Sequence, residues 1–277
     1  MTSQLFAICF NATRPRDLAR FWSGVLGWDL AGGADERPDL RLPDRRPPDR
    51  RPGGPPDGGA EILSSGSAGF RIRFLPSQEP KTGQNRSHFD LTSSSPEEQQ
   101  RTVERALALG AHHIDVGQRP EDGHVVLADP DGNEFCVIEA GNQFLAGTGV
   151  IGALACDGTQ GVGYFWSAAL RWPLVWDQDQ ETAIQSPGGG TKITWGGPPV
   201  ASKTGRNRLY LELAVPAGAD GDAELDRLVS LGATRVGSDT DTDTDTDTDT
   251  DSGEGDGGRV LLLDPDGNEF AVGRVRR

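Results

Sequence analysis

The side chains best equipped for chemistry lie on short segments in which apolar and polar residues alternate, the pattern of a half-buried strand with two unlike faces. Where Phe89 and Leu91 take one face, Arg86, His88 and Asp90 share the other. Arg71 and Arg73 likewise oppose Ile72 and Phe74, and Glu134 and Cys136 oppose Phe135 and Val137. Arg71, Arg73, Arg86, His88, Asp90, Glu134 and Cys136 together describe an amphoteric surface for a polar organic ligand. His88, a proton donor or acceptor near neutral pH, is the candidate catalytic residue. The matching set later in the chain is Lys192, Thr194, Arg208, Tyr210, Glu212 and Glu269. A second reading needs no ligand: Arg86 with Asp90, and Arg208 with Glu212, would form ion pairs that brace neighbouring strands. His88 and Cys136 are competent zinc or copper ligands, but two donors make a weak site, so the expectation is no cofactor, with a divalent metal as the lesser alternative.

Positioning these side chains takes two copies of one plan. Phe21-Trp22-Ser23-Gly24-Val25-Leu26-Gly27-Trp28 recurs as Phe165-Trp166-Ser167-Ala168-Ala169-Leu170-Arg171-Trp172. Lys81-Thr82-Gly83-Gln84-Asn85-Arg86 recurs as Lys203-Thr204-Gly205-Arg206-Asn207-Arg208, and Asp129-Pro130-Asp131-Gly132-Asn133-Glu134-Phe135 as Asp264-Pro265-Asp266-Gly267-Asn268-Glu269-Phe270. Three matches in one order establish a duplication. The sequence therefore divides into domain 1 at 1–140, a small and polar linker at 141–149 and domain 2 at 150–277. Each carries its own insertion, a Pro-, Arg-, Asp- and Gly-rich stretch at 33–59 and an Asp-Thr run at 239–251, both expected to be solvated and disordered.

Within each half the periodicity predicts two βαβββ modules, an α+β class. Residues 4–11 alternate as a strand, Pro15 opens a helix, and Leu18, Phe21, Trp22 and Val25 recur at helical spacing until Gly27. A second strand covers 86–91, Ser95-Pro96-Glu97-Glu98 reads as a capping box, and three strands follow near 112–115, 123–128 and 134–139. Pro130-Asp131-Gly132-Asn133 is a structural turn between the last two. Trp22, Trp28, Trp166 and Trp172 are expected in the core, whereas Trp176 and Trp195 sit on strands from which they could stack on a ligand.

The net charge of −15 argues against nucleic acid, even though the Asp-Thr run alone supplies seven of the carboxylates. It would favour a cationic guest at long range. The apolar runs are strand-sized, too short for a bilayer crossing, and the N-terminus lacks a basic leader region, so a cytoplasmic protein without a membrane partner is expected. Cys9, Cys136 and Cys156, odd in number and without CxxC spacing, read as free buried thiols.

The Phe-Trp-x-x-x-Leu-x-Trp helix, the Lys-Thr-Gly-x-Asn-Arg-x-(His/Tyr) strand and the Asp-Pro-Asp-Gly-Asn-Glu-Phe turn resemble the vicinal oxygen chelate superfamily, which includes glyoxalases, bleomycin-resistance proteins and dioxygenases. Within it they look like a tandem glyoxalase-like branch. The resemblance implies paired modules curling into cup-shaped half-open barrels, and a divalent metal held from the first and last strands of each module. It places His88, Ala7, Cys136 and the Arg71/Arg73 pair at those positions in the first half, and Tyr210, Ala271 and the Lys192/Thr194 pair in the second. Alanines and cations replace most ligands there. The expected function is thus a metal-free or metal-poor binding protein of the bleomycin-resistance kind, sequestering or modifying a polar aromatic metabolite or antibiotic. A lyase, isomerase or dioxygenase using His88 is the alternative, and a non-catalytic interaction module the third. A monomer with pseudo-dimeric domains is expected. Whether modules pair within or across the halves is not decided by spacing.

Overall fold

The computed structural model describes residues 2–31, 58–64, 69–119, 121–236 and 259–274; the Asp-Thr run and residues 33–57 of the first insertion lie outside them. Four modules follow one another: β1 (Gln4–Ala12), α1 (Pro15–Leu26), β2 (Asp29–Leu30), β3 (Ala60–Leu63), β4 (Arg71–Pro76); β5 (Ser87–Leu91), α2 (Pro96–Ala108), β6 (His112–His113), β7 (Val125–Ala128), β8 (Glu134–Val137); β9 (Ile151–Cys156), α3 (Gln160–Leu170), β10 (Leu174–Gln178), β11 (Glu181–Gln185), β12 (Lys192–Trp195); and β13 (Leu209–Val215), α4 (Gly221–Ser230), β14 (Thr234–Arg235), β15 (Val260–Leu263), β16 (Glu269–Arg274). Among the described residues no helix is long and apolar enough to cross a membrane.

The helices end where their sequences say they should. Gly27 closes α1 at φ 70°, a left-handed conformation that costs glycine nothing, and its N–H returns to the Ser23 carbonyl at 2.9 Å. Ser95 caps α2 by accepting from the Glu98 N–H, while the Glu98 carboxylate reaches one residue further out than a standard capping box, to Ser94. The N-terminus of α1 has no side-chain cap of its own. Asp131, from the turn between β7 and β8, receives the Thr13 N–H at 2.7 Å instead. Asp266 does the same for Thr159 at the start of α3, at 2.6 Å.

Modules join across the halves. One eight-stranded sheet, sheet A, runs β14-β15-β16-β13-β1-β4-β3-β2, and the other, sheet B, runs β10-β11-β12-β9-β5-β8-β7-β6. The first and fourth modules therefore share sheet A through the antiparallel β1–β13 pair, and the second and third share sheet B through β5–β9. Within the first half the two modules instead pack back to back. Trp22 on α1 meets Phe89 on β5 and Phe135 on β8 at ring centroids of 5.4 and 5.0 Å, and Phe10 on β1 meets Phe89 at 5.6 Å. Such pairs add roughly 0.5–1.5 kcal/mol each beyond the area they bury.

The start of β1 is tied to α4 by a charged contact. Glu224 accepts from the Ser3 N–H and Oγ at 2.9 and 2.6 Å and from Arg227, whose Nη2 also donates to the Ala169 carbonyl at the end of α3. Burial would raise the Glu224 carboxyl, but the hydrogen bonds from Arg227 and Ser3 hold it down to about 2. A depressed carboxylate stabilises the fold above its unfolded value and loses that contribution as pH falls through the folded one. Stability should thus drop by about 1–2 kcal/mol between roughly pH 4.5 and 2, after discounting for the partly exposed Arg227. Glu224→Gln should lower the midpoint of urea unfolding at neutral pH and flatten that part of the acid limb. An unchanged pH profile would show that this contact contributes nothing.

Candidate functional site

The repeated motifs serve mainly to lock the fold. Asp129, fully buried, accepts hydrogen bonds from the Trp22 indole at 3.1 Å, the Asp131 N–H, and both the backbone and side chain of Asn133. Burial raises its carboxyl to about 6 against the pull of those donors. Asp264 repeats the arrangement with Trp166 at 3.2 Å and Asn268. Lys81 is held by Glu134 and the Gly83 carbonyl, and Asn85 hydrogen-bonds both Glu134 and Asn133. In the second half Lys203, Asn207, Glu269 and Asn268 reproduce the set. Glu134 is therefore a fastening residue, holding Lys81 and Asn85.

Cross-half pairing also divides the set of polar residues expected to share one surface. Arg71 and Arg73 lie on sheet A, beside Tyr210 and Glu212 of the second half, whereas His88, Asp90 and Cys136 lie on sheet B, beside Lys192 and Thr194. Arg73 and His88 thus do not cooperate in one cup. Arg86 and Arg208 leave both open faces: Arg86 pairs with Asp157 at 3.7 Å and Arg208 with Asp131 at 3.4 Å. The expected braces Arg86–Asp90 and Arg208–Glu212 are replaced by these contacts, because each arginine sits just before its strand.

Sheet A closes its open face with charge. Glu212, 4 % exposed, receives Arg73 Nη1 at 2.8 Å on both oxygens and Arg259 Nε at 3.0 Å. Arg73 Nε lies 2.8 Å from Glu61, which also meets Arg71 at 3.5 Å, and the Arg71 guanidinium stacks 4.2 Å over Phe6. Cys9 Sγ donates to Glu212 at 3.2 Å; burial and that carboxylate push the thiol well up. Burial, with Cys9 and Glu212 as neighbours, raises the Tyr210 hydroxyl too. The positions that would hold a metal are Ala7, Ala271, Tyr210 and the two arginines, so this face does not fit one. Glu61 and Arg259 escape a sequence reading because each flanks an insertion and has no counterpart at repeat spacing.

Sheet B keeps an open polar patch. His88, Asp90 and Cys136 bring one donor atom each within 4.8 Å of one another, with His88 Nε2 3.4 Å from Asp90 Oδ1. Burial alone would lower the imidazole, but hydrogen bonds and charge from Asp90 and Cys136 raise it to about 10. Two of these three residues stand at metal positions implied by the sequence motifs, and Asp90 supplies a third donor. Across the sheet, Cα register aligns Trp176, Ala183, Thr194, Ala155 and His88 in one row. Lys192, Ala153, Asp90 and Cys136 form the next. Between the imidazole and the indole the row thus holds only small side chains, the slot of this face, although Ala183 itself is fully buried.

The segment expected to be a plain linker folds over this slot. Leu145 is buried among Val126, Cys136, Ile138 and Ala153, and Phe144 meets Trp176 edge-on at 5.9 Å. Lys192 Nζ donates to the Phe144 carbonyl and sits 4.2 Å over its ring; burial lowers its ammonium. Phe144 and Leu145 are the two large apolar residues of an otherwise small, polar stretch, and that contrast is the sequence signal of the cover. Of the two tryptophans expected near a ligand, Trp176 is 37 % exposed while Trp195, 2 % exposed, is core. The three cysteines are free, Cys156 being raised by burial to about 12.

This fold recurs in solved structures. Glyoxalase I from Zea mays superposes with a TM-score of 0.60 at 11% identity, covering 99% of this chain and 92% of that one. A proposed dioxygenase from Bacillus subtilis gives 0.55 at 13% identity, covering 99% and 85%. No curated protein matches the sequence. The model of the glyoxalase-like domain matches residues 7–138 and again 152–273, in register with the duplication, and the chain belongs to that family, as two tandem copies of its domain.

Proposed function

We propose that the chain is a metal-poor small-molecule binding protein of the glyoxalase and bleomycin-resistance kind, whose ligand lies in the slot of sheet B. The observation that carries this is the row from Trp176 to His88, an aromatic wall and an imidazole separated by Ala183, Thr194 and Ala155. A flat aromatic ring can lie on the small residues against Trp176, with a carboxylate or phenolate directed to His88 and Lys192. Inside the slot Lys192 and His88 stand against the Asp90 carboxylate, a local excess of positive charge that favours an acidic guest over a cationic one. Sheet A, closed by its own ion pairs, leaves ligand binding to sheet B.

Trp176 is the one exposed tryptophan of the six, so quenching of its fluorescence reports on the slot. Titration with a series of hydroxybenzoates should give saturable quenching that His88→Ala weakens by about tenfold, the scale of one charge-assisted contact. Tyr210→Ala, on the other sheet, should leave it unchanged. Failure of the whole series to quench, or equal loss in both variants, would end this reading.

A second reading rests on the convergence of three donors. A divalent metal would be held by His88, Asp90 and Cys136, and would supply Lewis-acid chemistry for a lyase or oxygenase. Elemental analysis separates the two. Metal well below one per chain is expected; one tightly held ion, released by His88→Ala, would favour the enzyme.

A further inference from the structure

A cavity of about 330 Å3 lies between the halves, away from both open sheet faces, and its walls are the two Lys-Thr-Gly-x-Asn-Arg segments. That volume is enough for a small ligand. The two segments clasp reciprocally: Arg86 Nη1 donates to the Ala201 carbonyl at 2.9 Å, and Arg208 Nη1 to the Glu79 carbonyl at 3.2 Å, the same place in the other copy. The cavity is thus built twice over around an approximate twofold axis.

Its lining is cationic. Among the described residues, Lys81, Arg86, Lys203 and Arg208 face it, with Glu79 as the acidic lining residue, in a chain of net charge −15. The carboxylates paired with these cations, Glu134, Glu269, Asp157 and Asp131, are not among the lining residues. They stand behind the cations and fix them in place, so the lining presents N–H groups. Lys81 spends two of its three donors on Glu134 and Gly83. Arg86 is held firmly too: its side chain is 11 % exposed and donates to the Ala201 and Asp157 carbonyls.

From this geometry we propose that the cavity binds a small multivalent oxyanion, a molecule with two phosphate or carboxylate groups, one received by the lysine and arginine of each half. The assignment is independent of the sheet B slot. Neither His88 nor Trp176 lines the cavity.

Isothermal titration of the full chain at fixed ionic strength, with pyrophosphate, succinate and inorganic phosphate as probes, tests it. One site per chain is expected for pyrophosphate or succinate, whichever is preferred naming the group, with inorganic phosphate at least ~10-fold weaker for want of a second anionic group. Thr82 and Thr204 are exposed on the lining and engaged in no core contact. The double variant Thr82→Glu/Thr204→Glu should therefore weaken binding by at least ~10-fold through like-charge repulsion, with the melting temperature unchanged. Arg86→Gln should weaken it also. Absence of saturable binding of either dianion at low millimolar concentration, or dianion binding that the double variant leaves intact, would overturn the proposal.

Discussion

Replacing Asp129 with alanine is expected to destabilise the protein by about 3–5 kcal/mol, the cost of leaving several buried donors without their charged acceptor. The carboxylate is the meeting point of the Trp22 indole, the Asp131 N–H and two groups of Asn133, none of which water reaches easily. Its loss would release the turn that carries Asp131, and with it the borrowed cap at Thr13 on α1. Helix α1 would then lose its cap and the anchor of Trp22 together. Asp129→Asn, which keeps one acceptor oxygen, should recover part of the loss. Thermal and urea unfolding of the three proteins measure the effect, and a deficit under about 1 kcal/mol for the alanine variant would mean that the turn tolerates the vacancy.

The largest effect is expected from separating the halves. Residues 1–140 alone would present β1 and β5 as long unpaired edges with apolar faces, a template for association. They would also strand Arg73 without Glu212 and Arg208's partners Glu79 and Asp131 without their arginine. The intact chain should be monomeric by light scattering, since β1 and β5 find their partners, β13 and β9, within it. The isolated half should dimerise or precipitate, and co-expression of 1–140 with 150–277 should restore a one-to-one complex. A half that is a stable monomer, with the melting temperature of the whole, would contradict this account.

The duplication, the four modules and their α+β class were legible in the linear chain, because each depends on local pattern. The helix of Leu18, Phe21, Trp22 and Val25 and the turn at Gly132 are fixed by residues within a few positions of one another. The same holds for the alternation that placed His88, Asp90 and Cys136 on one face, since strand period does not depend on the neighbouring strand. Which strands become neighbours is a different matter. β1 has similar apolar edges to offer to the second module or the fourth, and only the packing of whole modules selects β13. That choice moved Arg73 away from His88 and onto Glu212, and set Lys192 and Trp176 on the histidine's sheet instead. It also drew Phe144 and Leu145 down over Cys136, and set two distant Lys-Thr-Gly segments face to face. The sequence by itself determined the parts and their inward and outward faces, through short-range sterics and hydrophobic period. Only the tertiary structure decided which polar groups meet, because ion pairs and cavities arise between residues a hundred or more positions apart, and their spacing leaves no periodic trace along the chain.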